Sequence, residues 1–156
     1  MTKVYIVDHG IIRTTHTINK GGQDLTLALS SSMNISVSEA EEMKRNYGLS
    51  VQKEGQNVSQ IMSGTLSYVF IEANRMLLNY QKKYNRTIGK VVLTGGAVNL
   101  KGLSEFAASN FQVPIVVADP FEKIEAPAFL EKVLEGAGPE FAVAIGIALR
   151  RLQEVS

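Results

Sequence analysis

Val91-Val92-Leu93-Thr94-Gly95-Gly96-Ala97-Val98-Asn99-Leu100-Lys101-Gly102-Leu103 is the stretch on which the reading of this chain turns. A β-branched apolar run ends in paired glycines, and a helical pattern opens at Leu103. Paired glycines after a buried strand let another group approach the backbone closely. The N–H groups of the helix that follows suit a phosphate or the polar edge of a ligand. A plain strand-to-helix turn without a ligand satisfies the same residues, so both readings stand at this point.

Working outward, the helix from Leu103 runs to about Phe111, and Pro114-Ile115-Val116-Val117 is a short strand ended by Asp119-Pro120. A short helix is expected near 127–134. Gly136-Ala137-Gly138 should break it, with Pro139 in the first turn of a last, small-faced helix carrying Ala142, Ala144, Gly146 and Ala148. Upstream, Ile61, Leu66, Val69, Phe70, Ala73, Leu77 and Tyr80 recur at helical spacing between Val58 and about Tyr84. Gly64 inside that run suggests a close contact. Residues 50–57 read as a loop.

At the N-terminal end, Val4–Val7 and Ile11–Ile18 form a hairpin around the turn Asp8-His9-Gly10. Lys20-Gly21-Gly22 breaks it, and Asp24 is expected to cap a helix to about Met33. Ser36 or Ser38 caps the next helix, with Ser38-Glu39-Ala40-Glu41 as a capping box and Gly48 as the stop. A hairpin followed by alternating strands and helices implies an α/β fold with a mixed sheet covered by helices.

The chain has 156 residues, 45% hydrophobic and 20% charged, which is the composition of one globular domain. A net charge of +1 gives no bulk signal for nucleic acid or an acidic membrane surface. The absence of Cys excludes disulfides and thiolate metal sites. The two histidines, His9 and His16, have no clustered acids beside them, so no metal site is expected. The N-terminus does not read as a signal peptide. No Walker loop or serine-nucleophile motif is present.

Glu41, Lys44 and Arg45 stand at i, i+3 and i+4 and project from one helix face. A carboxylate beside two cations suits a ribose diol and a purine edge; a solvated ion pair is the plainer reading. Gly21-Gly22 before a helix is a second possible phosphate-facing turn, or an ordinary one. Lys82, Lys83 and Arg86 suit the dipole at a helix end.

Taken in order, these segments resemble the actin-like ATPase superfamily, and within it the type IV pilus assembly PilM family, related to the cell-division protein FtsA. Thr17-Ile18-Asn19-Lys20-Gly21-Gly22-Gln23-Asp24-Leu25-Thr26 resembles the family's TIPIGG-x-D-[IL]-T segment. Ser38 to Leu49 resembles its EEAEELKRKYGL helix, and Val91 to Leu103 its adenosine loop. Pro139 to Arg150 resembles its PELAVAIGLALR helix.

The resemblance implies an actin-like, ribonuclease H-like lobe with helices on both faces of its sheet. It makes Glu41, Lys44 and Arg45 ribose and adenine ligands, Gly95, Gly96 and Ala97 the adenosine loop, and Gly21 and Gly22 neighbours of the phosphates of ATP or ADP with Mg. It implies a pilus platform protein with a PilN-like partner, cytoplasmic and peripheral to the inner membrane through that partner. An FtsA-like interaction module that holds no nucleotide is the alternative. The family's first lobe, its small subdomain and the strand bearing an Asp-x-Gly phosphate loop have no counterpart here. The expectation is therefore a C-terminal lobe, residues 1–156, lacking its first strand, inactive as an ATPase alone and part of a longer protein. The edges at Val4–Val7 and Val91–Leu93 would then lack a partner, and would either close on each other or pair between chains, the second being preferred.

Overall fold

The computed structural model describes residues 1–49, 55–122 and 127–155. Strand β1 (Thr2–Asp8) pairs antiparallel with β2 (Ile11–Ile18). His9 and Gly10 both take positive φ, 51° and 76°, which is the twist a two-residue hairpin turn requires. At the turn Asp8 Oδ1 lies 2.9 Å from His9 Nδ1.

Helix α1 (Gly22–Met33) and helix α2 (Val37–Tyr47) follow. Asp24 is not the N-cap of α1. Gly21 holds that position, and Asp24, in the first turn, accepts the Gly21 N–H at 2.8 Å. The cap of α2 is Ser36: Ser36 Oγ accepts from Glu39 N–H, and Glu39 Oε2 accepts the Ser36 N–H at 2.9 Å. The capping box therefore lies two residues before the expected one and leaves Glu41 free for other contacts.

Helix α3 (Gln56–Tyr84) is the long element, and residues 50–54 of the expected loop lie outside the described residues. Its Val58, Met62, Leu66, Val69, Phe70 and Ala73 form one buried stripe with Leu25 and Leu29 of α1. Gly64 is exposed, and a Cβ added there would meet nothing within 4 Å, so no close contact explains it.

Strand β3 (Val91–Leu93), helix α4 (Leu103–Asn110) and strand β4 (Ile115–Val117) make a parallel β-α-β unit. Phe70 of α3 packs on Phe106 and Phe111 at ring separations of 5.7 and 5.3 Å. Val4, Val91, Leu93 and Ile115 lean on this same core, so both strand pairs lie across one apolar layer. On their other face Tyr5, Val7, Val92 and Val116 are exposed.

The strands form two separate two-stranded sheets, β1-β2 and β3-β4. β1 and β3 do not pair with each other, and no strand lies between them among the described residues. The C-terminal segment also departs from expectation. After a 3-10 turn at Ala128–Leu130, α5 (Glu131–Val155) runs without a break, with Pro139 inside it. Ala144, Gly146 and Ala148 of its small face are exposed rather than packed.

Candidate functional site

The densest polar arrangement joins α1 to α2. Thr26 Oγ1 donates to Glu41 Oε2 at 2.6 Å and accepts from Lys44 Nζ at 2.9 Å. Lys44 Nζ also lies 2.6 Å from Glu41 Oε2 and 3.4 Å from the Gly22 carbonyl. Arg45 Nε donates to the other carboxylate oxygen, Oε1, at 3.0 Å. Helix spacing puts Glu41, Lys44 and Arg45 on one face; the packing of α2 on α1 brings Thr26 and Gly22 to them.

The side chains differ in exposure: Lys44 is 14% exposed, Glu41 35% and Arg45 77%. Thr26 is 3% exposed, so its hydroxyl has no water to turn to, and its partners are the Glu41–Lys44 pair and the Gly22 carbonyl at 3.2 Å. The Lys44 and Thr26 hydrogen bonds, opposed by burial and aided by Arg45, hold the Glu41 carboxyl at about 2, well below its usual range. Asp24, at the start of α1, is lowered chiefly by its Gly21 N–H bond. The site thus presents a fixed carboxylate flanked by two cations. Among the described residues its Oε1 accepts from Arg45 alone, which leaves it capacity for a further donor.

Thr26 was not singled out as a site residue from the sequence, although it closes the Gly21–Thr26 segment. The missing signal was the meeting of two helices, which spacing along one helix does not reveal.

The second expected element is the Gly95–Ala97 loop. Gly95 has φ 91° and starts a 3-10 turn at Gly96–Asn99. Its N–H donates to the Pro139 carbonyl at 2.9 Å, while Asn99 Nδ2 donates to Gly136 O at 3.2 Å and to Glu140 Oε1 at 3.3 Å. A Cβ added at Gly95 would meet nothing within 4 Å; one at Gly96 would lie 3.4 Å from the Glu140 side chain. The loop backbone is therefore open at Gly95 and anchored on α5.

The two elements are joined through the end of α2. Leu49 N–H donates to Lys101 O at 2.8 Å, and Lys101 Nζ donates to Asn46 O at 2.7 Å. Gly48, at φ 55°, lets the chain pass so close that an added Cβ would sit 2.6 Å from Lys101 O. Gly21 and Gly22 differ in kind. A Cβ at Gly21 would lie 2.5 Å from Met1 N, whereas Gly22 is open, with its carbonyl near Lys44. No direct hydrogen bond links Glu41, Lys44 or Arg45 to Gly95, Gly96 or Ala97 among the described residues. The described residues also contain no group of three His, Cys, Asp or Glu placed to hold a metal ion.

The family model of type IV pilus assembly protein PilM matches residues 1–152. The chain belongs to the PilM family. Its fold is that of the actin-like ATPases, and it matches a chain of a PilM-PilN type IV pilus biogenesis complex with a TM-score of 0.82 at 25% identity, over 95% of this chain and 42% of that one. The ethanolamine utilization protein EutJ of Carboxydothermus hydrogenoformans shares the fold, with a TM-score of 0.65 at 20% identity over 94% of this chain and 44% of that one. Cell division protein FtsA of Helicobacter pylori is 29% identical in strain J99 and 30% in strain 26695, over 88% of this chain. The chain spans 32% of those FtsA sequences, about a third of their length. No helix among the described residues is long and apolar enough to cross a membrane.

Proposed function

We propose that this chain is the C-terminal lobe of a PilM-like actin-fold ATPase and supplies the adenosine side of its nucleotide site. Glu41 would take the ribose hydroxyls, Lys44 and Arg45 the base edge and nearby anionic groups, and the Gly95-Gly96-Ala97 loop would lie against the adenosine. Gly21 and Gly22 would stand nearer the phosphates of ATP or ADP. The observation that carries the reading is the Thr26–Glu41–Lys44 network. It holds a charged carboxylate with one oxygen, Oε1, still able to accept, which is what recognition of a hydroxyl requires. The open backbone at Gly22 and Gly95 gives a ligand room to approach.

Magnesium would be held by parts of the parent outside the described residues, so this lobe alone is expected to be without ATPase activity. A PilN-like membrane component is the proposed partner of the parent, which would place the protein on the cytoplasmic side of the pilus platform. Fluorescent ADP titrated into a full-length parent tests the site. The double change Glu41→Ala with Lys44→Ala should weaken binding about tenfold or more, with the lobe still folded and its thermal transition lowered by only a few degrees. Gly96→Val should weaken it further, because the branched side chain would crowd Glu140 and shift the loop. Unaltered affinity in the double variant would overturn the assignment of Glu41 and Lys44 to the adenosine site, and absence of ADP binding by the parent would return the lobe to the FtsA-like alternative, an interaction module that holds no nucleotide.

A further inference from the structure

We propose that the outer edge of β2, with the cleft beside it, docks an extended acidic polypeptide segment that adds as a strand next to Ile11–Ile18. The inference is independent of the nucleotide site. Among the described residues β2 pairs only with β1, so its second edge offers a row of free N–H and C=O groups. A cleft of about 240 Å³ runs between β2 and α3, lined by Thr14, His16, Arg75, Tyr80, Lys83 and Tyr84. Val4 and Ile6, the β1 partners of His16 and Thr14, do not line it. The cleft therefore opens beyond β2, on the side away from β1, where an added strand would lie.

Charge selects the occupant. The lining carboxylate, Glu72, is bound to Arg75 at 3.4 Å, which leaves Lys83 as the lining cation without a carboxylate partner among the described residues. Lys83 Nζ stands 5.2 Å from the Tyr84 ring centre, and Tyr84 packs on Tyr80 at 4.8 Å. The strand itself, Ile-Ile-Arg-Thr-Thr-His-Thr-Ile, carries no acid, and its Arg13 is paired with Asp8 Oδ2 at 3.6 Å. Two copies of β2 side by side would bring no carboxylate to Lys83, whereas an acidic strand would set one beside it in the cleft. Main-chain bonds would supply affinity, and the Lys83–Tyr84 wall the preference for a carboxylate.

The test uses two labelled peptides of about ten residues, one alternating Glu with Thr and Val, the other with Lys in place of Glu. Each is titrated into the chain, with anisotropy and backbone amide shifts as readouts. The acidic peptide should bind and shift amides in 11–18 and 72–84, the basic one should not, and Lys83→Glu should weaken the acidic peptide about tenfold at low salt. Thr14→Pro should abolish binding by obstructing the edge. Should it unfold the hairpin, the Lys83→Glu comparison decides alone. Equal binding of both peptides, absence of binding, indifference to Lys83→Glu, or shifts confined to other elements would each overturn the proposal. So would self-association of the chain through β2, which would assign the edge to a second copy.

Discussion

Lys44 Nζ lies 2.6 Å from Glu41 Oε2, one helical turn away, and the same carboxylate oxygen accepts the buried hydroxyl of Thr26 at 2.6 Å. An exposed i, i+3 ion pair contributes little to stability because water screens it. Here the third partner comes from another helix and is buried, so the pair reports on how α1 and α2 meet.

Acid should expose this dependence. The Glu41 carboxyl is depressed from 4.5 to about 2 in the fold, so it binds its proton more readily when unfolded. Its contribution is complete above pH 4.5 and is lost as pH falls from 4.5 towards 2. Because Glu41 is partly exposed, that contribution is on the order of 1 kcal/mol after screening. Urea unfolding of the chain and of Glu41→Gln should differ by about that amount at pH 7 and converge as pH approaches about 2. A gap that widens on acidification would contradict the assignment.

Thr26 gives a separable test. Thr26→Val keeps the shape but removes the hydroxyl between Glu41 and Lys44, and should cost about 1–2 kcal/mol in chemical denaturation. Thr26→Ser should recover most of the loss. In a full-length parent, Thr26→Val should also weaken fluorescent ADP, since Glu41 would no longer be oriented. If valine weakens neither stability nor ADP binding, the hydroxyl does not hold the site.

Much of the fold was legible because its signals are local. The His9-Gly10 turn, the gap between the β-branched runs, the Gly48 stop and the apolar spacing of α3 each depend on neighbours a few residues away. The break at Gly136-Ala137-Gly138 was not legible. Pro139 removes one helical N–H, yet Gly95 N–H bonds the Pro139 carbonyl and Asn99 bonds the Gly136 carbonyl, so tertiary contacts hold the segment helical. At the site, Glu41, Lys44 and Arg45 were readable from helix spacing. Thr26 required the packing of two helices, and the open backbone at Gly95 contrasts with the crowded one at Gly21 only in three dimensions.

Gly64 makes a further prediction with the opposite sign. It lies inside α3, is exposed, and an added Cβ would touch nothing within 4 Å. Gly64→Ala should stabilise the chain by about 0.5–1 kcal/mol through helix propensity and a less free unfolded state. Gly48→Ala should do the reverse, by about 2 kcal/mol or more, since φ is 55° and the new Cβ would press on Lys101 O. Thermal denaturation of the two variants beside the parent chain checks both signs.

The unpaired strands carry the last prediction. β1 and β3 lie on one core yet do not pair, so each keeps an open edge among the described residues. Beside those edges Tyr5, Val7, Val92 and Val116 are exposed on the face opposite the core. A two-stranded sheet is marginal alone in water, and an apolar open edge is a template for a further strand. The isolated chain should therefore associate, with its sedimentation weight rising with concentration. Val92→Lys should reduce this by setting a charge on the shared face while leaving the core-facing Val91 and Leu93 in place. Because hydrophobic contact rather than charge drives such association, added salt should not dissolve it. A chain that stays monomeric at high concentration, with the Val92→Lys variant indistinguishable from it, would show that these edges do not recruit a partner strand.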